Sequence, residues 1–163
     1  MGKEESIIKS LEEIINQEPV FINEWTHKID VIGDFECIYM TKAEYEATES
    51  PHPNESYWLK NKDKMRRAIE KYREVNILFA SYGQDNYTGD AWVLFEKEGK
   101  LFEVNGSHCS CYGLEDQWFP EEVILEELEN RLLNGTFGED KWSGNTFKEE
   151  LCKFLGVEFV ENM

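Results

Sequence analysis

Ser107-His108-Cys109-Ser110-Cys111-Tyr112 is the one dense cluster of reactive side chains in this sequence. A thiol beside an imidazole is the pairing of a nucleophile with its general base, and Asp85 or Asp90 would be the carboxylate that orients the ring. His108, Cys109 and Cys111 are also three soft metal ligands, with Cys37 or Cys152 as a fourth. Zinc sites usually add a second matched pair of ligands, and this chain has no such pair. On a strand, neighbours point to opposite faces, so His108 and Cys109 meet only if the strand breaks, as Gly106 would allow. A plainer reading outweighs both. Cys109 and Cys111 share a strand face, and free cysteine is a small, mostly buried hydrophobe. The pair would let a helix pack closely, His108 would be a partly exposed polar neighbour, and Cys152 would be a core residue. No catalytic residue, metal or cofactor is therefore assigned.

The segment before the cluster's partner strand, Gln84–Asp90, suggests a calcium loop through Asp85, Asn86 and Asp90. It lacks the ligand spacing and the downstream bidentate Glu of such loops. A turn held by Asx bonds, with Gly83 and Gly89 at positive φ, suits it better. The chain contains no Walker motif, dinucleotide fingerprint, Gly-x-Ser-x-Gly or His-Glu-x-x-His.

The elements that must position the cluster are strands. Asn76–Tyr82, Ala91–Lys97 and Lys100–Asn105 are rich in Val, Phe, Tyr and Leu and form a three-stranded antiparallel meander over about 76–106. If Glu98-Gly99 is a two-residue turn, Lys97 faces Lys100 and Asp90 faces Ser107. Asp85, Asn86, Tyr87 and Asp90 then lie at the same sheet end as His108, Cys109 and Cys111.

Helices flank this meander. Ile7, Ile8, Leu11, Ile14 and Ile15 share one face of an N-terminal helix that Pro19 ends. Phe35–Met40 reads as a short strand, and Thr41 with Glu44 forms the capping box of a short helix to about Ala47. Met65, Ala68, Ile69 and Tyr72 line a helix over Lys62–Glu74. Pro120 suits a first helical position, with Ile124, Leu125, Leu128 and Leu132 as the buried stripe and Asn134-Gly135 as the stop. Thr146 and Glu149 read as a second capping box. Phe147, Leu151, Phe154 and Leu155 then face inward, Gly156 ends the helix, and Val157–Val160 adds an edge strand. With 40% apolar and 13% aromatic residues and no dividing linker, the 163 residues are expected to form a single α+β domain, with helices packed against the meander.

Charge bounds the partners. The net charge is −17, and it is uneven: Lys60–Arg73 holds seven bases against two acids, +5, which leaves −22 for the rest. Direct nucleic-acid or anionic-membrane binding is disfavoured, because phosphate contacts need Lys and Arg. No apolar run is long enough to span a bilayer, and Met-Gly-Lys-Glu-Glu puts acids where a signal peptide carries bases, so a cytoplasmic protein with reduced thiols is expected. Glu115, Asp116, Glu121, Glu122, Glu126, Glu127 and Glu129 form an acidic run around Trp118 and Phe119. That composition suits a partner surface, with aromatics for contact and charge for steering. The competing reading is a solvated face whose aromatics staple a helix start. Arg66, Arg67 and Lys71 on the basic helix either bind an anion or pair internally.

The block Gly89-Asp-Ala-Trp-Val-Leu-Phe-Glu-Lys-Glu-Gly-Lys-Leu-Phe-Glu-Val-Asn-Gly-Ser-His-Cys-Ser-Cys-Tyr-Gly-Leu-Glu115, with Gln117-Trp118 and Pro120-Glu121, resembles a group of small bacteriophage and prophage proteins. The resemblance covers about a third of the chain, Ile77 to Glu122, and brings no activity with it. It implies a bacterial host cytoplasm. By analogy of class it implies a protein that blocks a host factor, as charge-mimicking counter-defence proteins do. The expected function is a non-enzymatic inhibitor of a basic, nucleic-acid-binding host protein such as a defence nuclease, in the manner of an anti-CRISPR or DNA mimic. Two alternatives stand beside it: a metal protein or enzyme built on His108, Cys109 and Cys111, and a binder of an anionic small molecule with Tyr82, Tyr87, Trp92 and Tyr112 around the pocket. The oligomeric state is left open.

Overall fold

The computed structural model describes residues 9–84, 87–140 and 144–159. Its centre is a run of apolar residues with no polar alternation, Ala91-Trp-Val-Leu-Phe95, which is the signature of a strand covered on both faces. It lies in β3 (Gly89–Lys97), flanked by β2 (Asn76–Tyr82) and β4 (Lys100–His108). Both contacts are antiparallel. The turn at Glu98-Gly99 has φ of +53° and +80°, the two left-handed residues of a type I′ hairpin, and it sets Lys97 opposite Lys100 and Asp90 opposite Ser107.

The expected three-stranded meander is the middle of a larger sheet. β1 (Val20–Asn23) adds to β2 in parallel and β5 (Glu121–Val123) adds to β4 antiparallel, giving a five-stranded mixed sheet in the order β1-β2-β3-β4-β5.

Helices cover both faces. α2 (Lys28–Glu36) and α4 (Glu55–Lys71) bring Val31, Ile32, Phe35, Met65 and Ala68 onto Ile77, Ala80, Val93, Phe95 and Val104. On the opposite face α1 (Leu11–Ile15), α5 (Leu125–Asn134) and α6 (Lys148–Leu155) bring Ile14, Leu128, Leu132, Leu151 and Phe154 onto Phe79, Trp92, Leu94 and Leu101. α3 (Lys42–Glu46) is short, with the Thr41–Glu44 capping box in place, and β6 (Glu139–Asp140) and β7 (Asn145–Thr146) form a small hairpin. A register shift between Ile77 and Phe79 turns both Leu78 and Phe79 toward the α5/α6 side.

Several expectations are corrected. Phe35 closes α2 rather than opening a strand: Val31, Ile32 and Phe35 are buried at helical spacing, and the helix stops at Cys37 with φ of 58°. α4 begins at Glu55, where the Asn54 side chain accepts the Tyr57 N–H, and Trp58 extends its buried stripe. Pro120 precedes a strand, because Val123 is drawn down beside Leu101 and the backbone pairs with β4. The helix starts only at Leu125, so Ile124 is exposed and leaves the buried stripe. Thr146 belongs to β7 and makes no cap. The free N–H groups of Phe147 and Lys148 bond instead to the Gly138 carbonyl, at 2.8 and 3.1 Å. Residues 157–159 are not a strand, although Val157 is buried, and Val160 lies outside the described residues, as do Ile7 and Ile8. At the described start, Ser10 and Glu13 form a reciprocal cap on α1.

Candidate functional site

The reactive cluster separates at the end of β4. Strand alternation sends His108 to the α2/α4 face, where it is 6% exposed. Its ring spans β3 to reach β2. It stacks on Tyr82 at 4.3 Å and 7°, and Nε2 donates to the Gly83 carbonyl at 2.8 Å. The span is possible because the residue beneath is Gly89, directly opposite His108. A Cβ there would lie 2.5 Å from His108 Nε2 and 2.1 Å from Gly83 O. Gly83 and Gly89 are therefore required for close approach and have no positive φ.

The thiols lie outside this arrangement, opposite to the packing role expected of them. Cys109 is half-buried and Cys111 exposed, in a turn closed by the Cys109 N–H on the Tyr112 carbonyl. Cys109 Sγ accepts the Cys111 N–H at 3.3 Å, and this bond to the backbone holds its thiol pKa below the ordinary range. Cys152 is buried on α6, as expected, and desolvation pushes its pKa up. Cys37 is exposed beside Tyr39, on the other side of the fold from Cys152. Among the described residues no three His, Cys, Asp or Glu side chains gather as a metal site. Asp85 and Asn86 lie outside the described residues, Asp90 sits beside the cluster's strand in register with Ser107, and Tyr87 is exposed.

Asp34 is a carboxylate within electrostatic reach of His108, and no residue pattern in the sequence marks it. Burial raises its pKa, opposed by the Trp25 indole N–H at 2.7 Å and by His108. Only the tertiary fold brings α2 to the end of β4. Tyr82, desolvated and close to Asp34 and Glu24, has its hydroxyl pushed up to about 12.

The proposed aromatic pocket does not form. Tyr82 and Trp92 lie on opposite faces of the sheet, in register with Ala91 and Ser81 respectively, and Tyr87 and Tyr112 are exposed. Trp92 instead borders a cleft of about 500 Å³ with Asp90, Asn105, Ser107, Phe137 and Phe147. The basic helix pairs internally at the three positions singled out for an anion. Arg66 and Arg67 share Asp63 at 2.7 and 3.1 Å, and Lys71 holds Glu36 at 2.8 Å.

The acidic run is arranged along one edge of the sheet. The Gln117 side chain acts as a substitute strand partner, exchanging two 2.8 Å bonds with the Ser107 backbone and a third with Gly113 O. Glu115 caps the Gly113 N–H. Trp118 turns inward and packs on Phe35, Tyr72 and Phe95 at 4.9–5.4 Å, so it is a core anchor rather than a contact residue. Glu129 is partly buried, with an Oε2 that has no hydrogen-bond partner among the described residues. Asp116, Glu121, Glu122, Glu126 and Glu127 are exposed, as are Phe119 at 73% and Ile124 at 59%. No helix among the described residues is long and apolar enough to cross a membrane. Comparison with family models, curated proteins and solved structures returns no match for this chain.

Proposed function

We propose that this chain is a non-catalytic binding protein that engages a basic protein through the edge formed by residues 115–127. One observation carries the reading. Phe119 and Ile124 are exposed on either side of a three-residue edge strand, among five exposed carboxylates, and no base occurs between Glu115 and Asn130. Exposed aromatic and branched side chains supply contact energy on desolvation, and the carboxylates steer a cationic surface into place. A basic, nucleic-acid-binding host protein such as a defence nuclease presents that surface. The bacteriophage likeness of the 89–115 block supports a counter-defence inhibitor acting by charge mimicry.

The test is capture from bacterial lysate by the full chain at low salt, with a Glu121→Lys/Glu122→Lys variant in parallel. The expected result is a basic protein that is retained at low salt, released as the Debye length shrinks from about 10 Å at 0.1 M to about 3 Å at 1 M, and absent from the variant. Retention of nothing basic, or equal retention by the variant, overturns the reading.

A further inference from the structure

The acidic edge is not uniformly flat. Where β4 and β5 meet the starts of α1 and α5, a groove of about 230 Å³ opens. Its floor is Leu101 and Val123, 4% and 3% exposed, and its sides are Leu11 and Leu125, both partly buried. Ile124 stands over it as an exposed wall. Glu122 and Glu126 lie at its rim, and among the described residues Lys100 is the one base that lines it.

We propose that this groove receives a single long basic side chain, an arginine or a lysine, from the partner, an inference that rests on the acidic-edge reading. An entirely apolar occupant would bring hydrocarbon against Glu122 and Glu126 and strip water from them without compensation. A compact cation would satisfy the carboxylates and leave Ile124 and the floor wet. A methylene stem with a charged head does both: the stem lies along Leu101, Val123 and Ile124, and the head reaches the rim carboxylates. The partner segment is therefore basic and carries apolar neighbours that extend the contact toward Phe119.

The experiment uses the full chain and three short capped peptides: alternating arginine and leucine, alternating citrulline and leucine, and hexa-arginine. Citrulline keeps the shape of arginine and removes its charge. The arginine–leucine peptide is expected to bind at low salt, with amide and methyl shifts centred on Leu11, Leu101, Ile124 and Leu125 in the unaltered protein. Each of the other two peptides should bind about tenfold or more weakly. Ile124→Asp adds a charge while removing the wall, so it should weaken the arginine–leucine peptide by about tenfold. Equal or tighter binding to Ile124→Asp, or shifts centred elsewhere on the edge, overturns the groove and leaves the acidic edge standing. No binding of either arginine peptide, or binding unchanged in Glu121→Lys/Glu122→Lys, overturns both.

Discussion

The C-terminal end of β4 and the edge that β5 continues alongside it carry the two most conspicuous stretches of the sequence, and the fold treats them in opposite ways. At the C-terminal end the residues with the most chemistry are absorbed: His108 is stacked on Tyr82 and donates to Gly83 O. Along the edge, from Gln117 against Ser107 to Val123 opposite Leu101, acids that resemble an ordinary solvated face surround exposed Phe119 and Ile124. Reactive type is not availability. An imidazole whose Nε2 proton serves a carbonyl has no lone pair on that atom to accept a thiol proton. A Phe left in water beside exposed carboxylates retains all of its capacity for contact.

The sharpest way to break the contrast is at Gly89. If the His108 end is structural, its integrity depends on the empty space above Gly89, and Gly89→Ala should cost about 3 kcal/mol. The added methyl meets Gly83 O at 2.1 Å, and backbone offers little relief. Denaturant unfolding checks this. A loss below about 0.5 kcal/mol would mean that the ring is held loosely and is free to act.

A second prediction separates neighbours within the acidic run. Trp118→Ala removes a ring packed on Phe35, Tyr72 and Phe95 and should cost about 2 kcal/mol, below the roughly 3–5 kcal/mol of a fully buried aromatic truncation because Trp118 is only partly buried. Phe119→Ala should leave stability within about 0.5 kcal/mol and weaken capture of the basic partner about tenfold. Thermal unfolding and binding measured on both variants test the division. If Phe119→Ala destabilises as much as Trp118→Ala, the edge is a second core and the contrast collapses.

What could be read from residues alone follows the range of the interactions. The hairpin register was legible because it is set locally: Glu98-Gly99 demands two positive φ values, and every pair back to Asp90↔Ser107 follows. The Thr41–Glu44 cap is likewise a three-residue interaction. Edge strands were not legible. Val20–Asn23 and Glu121–Val123 become strands only because β2 and β4 offer free edges, and that tertiary pairing overrides the helix-start signal of Pro120. The site was half legible for the same reason. Register correctly put Asp90 near the cluster, but which neighbour His108 would use depended on Gly89, whose role is to be absent above the strand. Nothing local told the inward Trp118 from the outward Phe119; that choice depends on Phe35 and Tyr72, which lie far away in sequence.

The smallest expected effect tests the contrast from the thiol side. The Cys109 thiol is held below its ordinary range because the Cys111 N–H donates to its sulfur, so its alkylation should rise with pH at a midpoint below that of an ordinary cysteine. Since the cause is backbone, His108→Gln, which can keep a donor toward Gly83 O, should leave the rate at Cys109 within about twofold at each pH. Mass spectrometry of iodoacetamide-treated protein reads the rate at each cysteine separately, with buried Cys152 as the slow internal reference. An imidazole acting as base would instead slow the reaction by about tenfold when removed and erase the inflection it imposes on the pH profile. That outcome would return the C-terminal end of β4 to chemistry. Its absence leaves the thiol activated by its own turn and the histidine committed to joining three strands.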